Sequence, residues 1–138
     1  MRYVKDTVKR PDIPDYRKKQ ALLYIQKSAA ADLTVYGNLF LAAGRMADAL
    51  EFFEAAADRE GLEKLRTWAE REGDFMIYLN CGKALREEPT PDGWARIGRA
   101  ALAKGKLRFA REAAVRSGDP ALLEDVEQSL REPAGVKP

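Results

Sequence analysis

Three glycines divide this chain at nearly regular intervals. Gly44, Gly73 and Gly105 each follow a run of good helix formers, and they stand 29 and 32 residues apart. A glycine inside a helix costs about 1 kcal/mol relative to alanine, whereas a glycine just after a helix adopts the left-handed conformation without steric penalty. We therefore expect each of the three to end a helix and turn the chain. Gly61 and Gly118 are predicted to stop helices in the same way.

The hydrophobic pattern predicts helices and no strands, because apolar residues recur at helical spacing and no sustained period-two alternation appears. Capping residues followed by proline, Thr90-Pro91 and Asp119-Pro120, mark two helix starts, and Asp74 marks a third. The predicted helices lie near 15–29, 31–43, 46–58, 61–72, 74–86, 91–104, 106–117 and 120–131. The chain is thus expected to be all-α, with a helical domain at 15–131 between flexible segments at 1–14 and 132–138.

Aligning the three turn glycines shows a repeat. The first and third helix pairs share a pattern of small and large residues, with a glycine seven positions before each turn, at Gly37 and Gly98. These two glycines are predicted to let the returning helix come close, opposite Ala49 and Ala110. In the middle pair Arg66 takes the glycine's place, so that pair is expected to be splayed or shifted.

The repeated residues resemble the tetratricopeptide repeat. Tyr36-Gly37-x-x-Phe40 followed by Ala49-x-x-x-Phe53 is similar to the family signature, and Trp94-x-x-Ile97-Gly98 followed by Ala110 is similar in part. Residues 92–123 are also similar to the α-solenoid repeats of coatomer-type coat proteins. The resemblance implies a right-handed α-solenoid of antiparallel helical hairpins whose first helices line a partner-binding surface.

That resemblance also selects the candidate contact residues. The partner would be another protein or a peptide, with Leu41 and Leu102 as its apolar anchors, and the basic end of the surface would favour acidic sequence. Trp94 is expected to be core, whereas Trp68 is either packing or an exposed anchor. The predicted partner-binding residues are Asn38, Leu41, Thr67, Trp68, Arg71, Arg96, Arg99 and Leu102.

Composition weighs against several other classes. The chain has no histidine, which removes the commonest metal ligand and general base, and its single cysteine excludes an internal disulfide. Cys81 is predicted to be a buried structural thiol. No apolar run reaches membrane-spanning length. We expect a cytoplasmic, non-catalytic protein without cofactor or metal, either a monomer or a homodimer.

A basic strip, residues 94–116, leaves an alternative open. It holds seven cations against one acid, whereas residues 51–74 hold eight acids against four cations. Such a strip could bind RNA or DNA phosphates, or it could be an ordinary solvated surface. The net charge of the whole chain, only +2, gives nucleic acid little general attraction.

Overall fold

The computed structural model describes residues 12–26 and 28–132, and within them it is all-α, as predicted. The chain divides into two compact units between Asp58 and Arg59. Eight α-helices occur in the described part, which contains no strand: α1 Tyr16–Gln20, α2 Ala30–Ala42, α3 Met46–Ala55, α4 Arg59–Glu72, α5 Phe75–Leu85, α6 Pro91–Ala103, α7 Leu107–Ser117 and α8 Pro120–Arg131. None of these described helices is both long and apolar enough to cross a membrane. Of the two predicted flexible segments, residues 1–11 and 133–138 lie outside the described residues.

The first unit is built from α1, α2 and α3. A π-helical turn, Ala21–Ile25, continues α1 and contacts α3, so the predicted helix at 15–29 ends earlier than expected. Helices α2 and α3 pack through aromatic rings, with the centroids of Phe40 and Phe52 5.4 Å apart. The ammonium group of Lys19 lies 2.6 Å from an Asp48 oxygen and also contacts Glu51, which ties α1 to α3.

The second unit contains α4 to α8. Sequence neighbours pack as pairs, α4 with α5 and α6 with α7, while α4 also contacts α6 and α5 contacts α7. Helix α8 packs on α6 and α7, and its Leu122 and Val126 join a core otherwise made of alanines: Ala101, Ala110 and Ala114. The predicted burial of Trp94 and Cys81 is confirmed.

The predicted turn glycines are confirmed with one exception. Gly44, Gly73, Gly105 and Gly118 all have φ between +70° and +78°, the left-handed conformation that favours glycine. Gly61 was predicted to stop a helix, and this is wrong, since it lies buried inside α4. The chain turns earlier, at Ala57, which takes a left-handed φ of +53° and allows α4 to begin at Arg59.

The helical glycines Gly37 and Gly98 sit at close contacts, as predicted, but against other neighbours. A Cβ at Gly37 would lie 2.5 Å from a ring carbon of Phe53, one helical turn beyond Ala49. A Cβ at Gly98 would lie 2.8 Å from Leu122 of α8 and 3.4 Å from Ala113 of α7. Gly98 therefore makes room for two helices at once, and Ala110 is not among its nearest neighbours.

Replacing Gly98 with leucine is expected to lower the free energy of unfolding by about 1–3 kcal/mol, because the added side chain overpacks the space filled by Leu122. Urea denaturation followed by circular dichroism measures the loss. Ala103→Leu, at an exposed position of the same helix, is the control and should change stability little. Equal unfolding midpoints for the two variants would contradict the close packing at Gly98.

Candidate partner-binding site

An open polar pocket of about 370 Å³ lies in the second unit, on α4, α5, α6 and the segment that follows α5. It brings together Thr67 and Arg96, two of the predicted contact residues, from two different first helices. The pocket is lined by Arg66, Thr67, Glu70, Tyr78, Glu87, Glu88, Pro89, Thr90 and Arg96.

One side of the pocket is organised by Glu87. Arg66 donates to Oε1 of Glu87 at 2.8 Å, and Arg59 binds the other oxygen. Hydrogen bonds, first from Arg66 and to a smaller extent from Arg59, lower the pKa of Glu87 below its ordinary value. The carboxylate is therefore ionised at neutral pH. Because the Glu87 carbonyl would lie 3.0 Å from a Cβ at Gly82, that glycine lets the chain fold back over α5.

The other side is organised by Arg96 and Tyr78. A guanidinium nitrogen of Arg96 lies 3.1 Å from a Glu70 oxygen, and both side chains are partly exposed. Tyr78 is buried edge-on against the ring of Trp94, with centroids 5.2 Å apart. Burial, and secondarily the charge of Glu70, raises the pKa of Tyr78, which therefore stays protonated at neutral pH.

The groups that line this pocket can form charged hydrogen bonds of both signs. It holds the guanidinium groups of Arg66 and Arg96 and the hydroxyls of Thr67 and Thr90, together with three carboxylates: Glu70, Glu87 and Glu88. The pKa of Glu87 is lowered and that of Tyr78 is raised, so neither pKa is shifted toward neutral pH, where a general acid or base works best.

The other six predicted contact residues do not line this pocket. Trp68 is half-buried on α4, and Arg71 is exposed there, 3.6 Å from Glu72. Arg99 is exposed and lies 2.7 Å from Asp119, whereas Leu102 packs partly against the α6–α8 core. Asn38, which is exposed, and Leu41, which is half-buried, belong to α2 in the first unit.

Sequence reasoning missed Arg66 and Tyr78 as pocket residues. In the middle repeat Arg66 stands where the other two repeats have a glycine, and Tyr78 stands where they have Ala49 and Ala110. Those departures were the available signal, because a large polar side chain in place of a small one must project out of the helix contact or fill another space. Here Arg66 reaches Glu87, and the Tyr78 hydroxyl lies against Gly93. That the middle pair, α4 and α5, is splayed or shifted stays a prediction.

Most cations of the basic strip already have protein acceptors. Four of them bind acids on other helices or helix caps, Arg116 binds Glu112 on its own helix, and Lys106 donates to the Glu72 carbonyl. Those four are Arg96 with Glu70, Arg99 with Asp119, Lys104 with Glu72 and Arg111 with Glu127. Within the part of the chain that the structure describes, Arg108 is the cation of the strip without such a partner. The positive charge offered to a polyanion is therefore smaller than the sequence count indicates.

Comparison with known proteins adds no relative. No family model, curated protein or solved structure matches this chain. The resemblance to tetratricopeptide repeats consequently rests on the motifs at Tyr36–Phe53 and Trp94–Ala110.

Proposed function

We propose that the chain is a non-catalytic protein-interaction module, a tetratricopeptide-like right-handed α-solenoid of antiparallel hairpins that docks an acidic partner segment on its first helices. One observation carries the proposal: α4 and α6 pack against each other, and Thr67 and Arg96 line one open pocket together with Arg66. A partner carboxylate would bind Arg96 in place of Glu70, because arginine forms strong charge-assisted hydrogen bonds with carboxylates.

Exchange of ion-pair partners is energetically feasible at this site. The Arg96–Glu70 pair is exposed, with 59% and 34% of the two side chains accessible to solvent, and such pairs contribute only about 0–1 kcal/mol. A carboxylate supplied by a partner can replace Glu70 at small cost. Arg99, paired with Asp119 in a similar setting, offers a second position. The remaining contacts with the partner stay predictions. Leu102 and Trp68 would make apolar contacts and Arg71 a charged one. Asn38 and Leu41 would contact the partner from α2.

The test is affinity capture from source cells followed by titration of the captured partner. Arg96→Glu/Arg99→Glu is expected to weaken partner binding about tenfold or more, equivalent to about 1.4 kcal/mol or more. Glu70→Gln should strengthen binding, because it removes the internal competitor for Arg96. Lys83→Glu/Arg131→Glu carries the same charge change at exposed positions outside the pocket and should leave affinity nearly unchanged. An unchanged set of partners and unchanged affinities in the Arg96/Arg99 variant would disprove the proposed site.

Nucleic-acid binding through the basic strip is the alternative, favoured by the exposure of six of its seven cations. Those six are Arg96, Arg99, Lys104, Arg108, Arg111 and Arg116. RNA or DNA affinity would then fall steeply with salt concentration, because phosphate contacts release counterions. Titration of a short single-stranded RNA and a short DNA duplex at two salt concentrations separates the two functions.

A further inference from the structure

A second open depression, the apolar groove, lies on α5, α7 and α8 and has a volume of about 480 Å³. Its apolar lining consists of Phe75, Met76, Phe109 and Leu130. The rings of Phe75 and Phe109 are in contact, with centroids 6.1 Å apart. Beside them Met76 is 48% exposed and Leu130 41% exposed. Large apolar side chains gathered in one concave area, rather than scattered singly, are typical of a docking surface.

Two arginines give this groove a positive edge. Arg111 lines it while its Nε is held 3.2 Å from an oxygen of Glu127 on α8. Arg108 also lines it and makes no ion pair with any described residue. The lining contains one acid, Glu112, whose carboxylate binds Arg116 at 2.8 Å. The charge available to an incoming group is therefore positive.

We propose that the apolar groove binds a segment of a partner protein that presents large apolar side chains next to an acidic residue. The apolar side chains would lie against Met76, Leu130 and the Phe75–Phe109 pair, and the carboxylate would meet Arg108. Methionine suits such a role because its flexible, polarisable side chain adapts to the shape of the ligand. This surface belongs to the second helices and α8, so it is separate from the proposed pocket on α4 and α6.

Charge favours an acidic partner segment over two other occupants of the groove, a second copy of the chain and residues 133–138 of the same chain. In a symmetric dimer formed through the groove, Arg108 and Arg111 of one copy would approach the same arginines of the other, which is unfavourable. Residues 133–138 follow α8 in sequence, close to Leu130, but PAGVKP offers one large aliphatic residue, Val136, and a cation, Lys137. Both occupants would bring cations towards Arg108 and Arg111, whereas a partner segment with an acidic residue would bring a carboxylate.

The test is a selection from a random peptide library displayed on phage, using the full chain as bait and removing peptides that also bind the Met76→Lys variant. We expect the recovered peptides to combine large apolar residues with aspartate or glutamate. In fluorescence-anisotropy titrations of synthetic copies, Met76→Lys and Leu130→Lys should each weaken binding about tenfold or more. Arg108→Glu should weaken binding of the acidic peptide and strengthen binding of its lysine-substituted form. Val35→Lys, at a residue 43% exposed in the first unit, should leave affinity unchanged.

Several outcomes would overturn the proposal. No peptide surviving removal by Met76→Lys, or survivors without acidic enrichment, would exclude an acidic partner segment. A dimer in light scattering that Met76→Lys abolishes would identify a second copy as the occupant. A gain of about tenfold in peptide affinity on deletion of residues 133–138 would identify that segment instead. Unchanged circular-dichroism unfolding curves are expected for all of the lysine variants, because the substituted side chains are exposed. The Arg96→Glu/Arg99→Glu variant should bind these peptides normally, so failure here is distinguishable from failure of the proposed pocket.

Discussion

Gly73→Ala is expected to lower the free energy of unfolding by about 2–5 kcal/mol. Gly73 has φ +72°, and a residue with a Cβ costs about 1–2 kcal/mol in that conformation. In addition, a Cβ at this position would collide with the backbone of α6, lying 2.5 Å from Ala101 Cα and 2.9 Å from the Ala100 carbonyl carbon. Backbone atoms of a packed helix cannot rotate away as a side chain can, so overpacking adds about 1–3 kcal/mol. Urea denaturation monitored by tryptophan fluorescence measures the effect.

Gly105→Ala is the matched control for Gly73→Ala. Gly105 has nearly the same φ, +75°, but a Cβ there would meet no atom within 4 Å. Its substitution should cost only the conformational strain, about 1–2 kcal/mol. The difference between the two variants therefore measures how closely the end of α4 approaches α6. Equal destabilisation of the two would show that this approach is not tight.

Trp94→Ala is expected to cost about 3–5 kcal/mol, the range for truncating a buried aromatic side chain. Trp94 is only 7% exposed, contacts Tyr78 edge-on, and lies 5.3 Å from Phe75 between ring centroids. The guanidinium carbon of Arg116 also lies 5.6 Å from its ring centroid. Truncation would leave a cavity between α5, α6 and α7 that the three helices cannot close without moving. Circular dichroism during urea denaturation reports the loss without relying on the removed fluorophore.

Trp68→Ala makes the same chemical change at a half-buried site on α4. Less apolar surface is withdrawn from water there, so its effect on stability should be less than half that of Trp94→Ala. A Trp68→Ala variant as unstable as Trp94→Ala would mean that Trp68 is a core residue and not a candidate partner contact. Normal stability combined with weaker partner binding would assign it to the docking surface.

Where the sequence prediction succeeded, the physical cause is local. Asp74 and Thr90 accept hydrogen bonds from backbone amides three residues on, each at 3.0 Å, so a short stretch of sequence suffices to place the start of α5 and of α6. The prediction failed at Gly61, because the turn is made by Ala57, an alanine in a conformation that local preference would not assign to it.

The candidate pocket was only partly predictable, because its members meet across long sequence separations. Thr67 and Arg96 followed from the helix assignment and from the family resemblance. Arg66 reaches Glu87, 21 residues away, only because Gly82 lets the chain fold back over α5. The apolar groove was not predicted at all, since Met76 and Leu130 lie more than fifty residues apart in the sequence.

The amino-acid sequence alone determined the helices, their turns at Gly44, Gly73 and Gly105, and the tight packing around Gly37 and Gly98. These features depend on backbone preferences, capping bonds and periodicity, which act over a few residues. Tertiary structure alone decided which atoms fill each space: Phe53 at Gly37, Leu122 at Gly98 and the α6 backbone at Gly73. It also decided which acids pair with the arginines of the basic strip, and it placed Arg108 beside the apolar groove. Such choices depend on atoms from distant parts of the chain, whose positions are set only when the helices pack together.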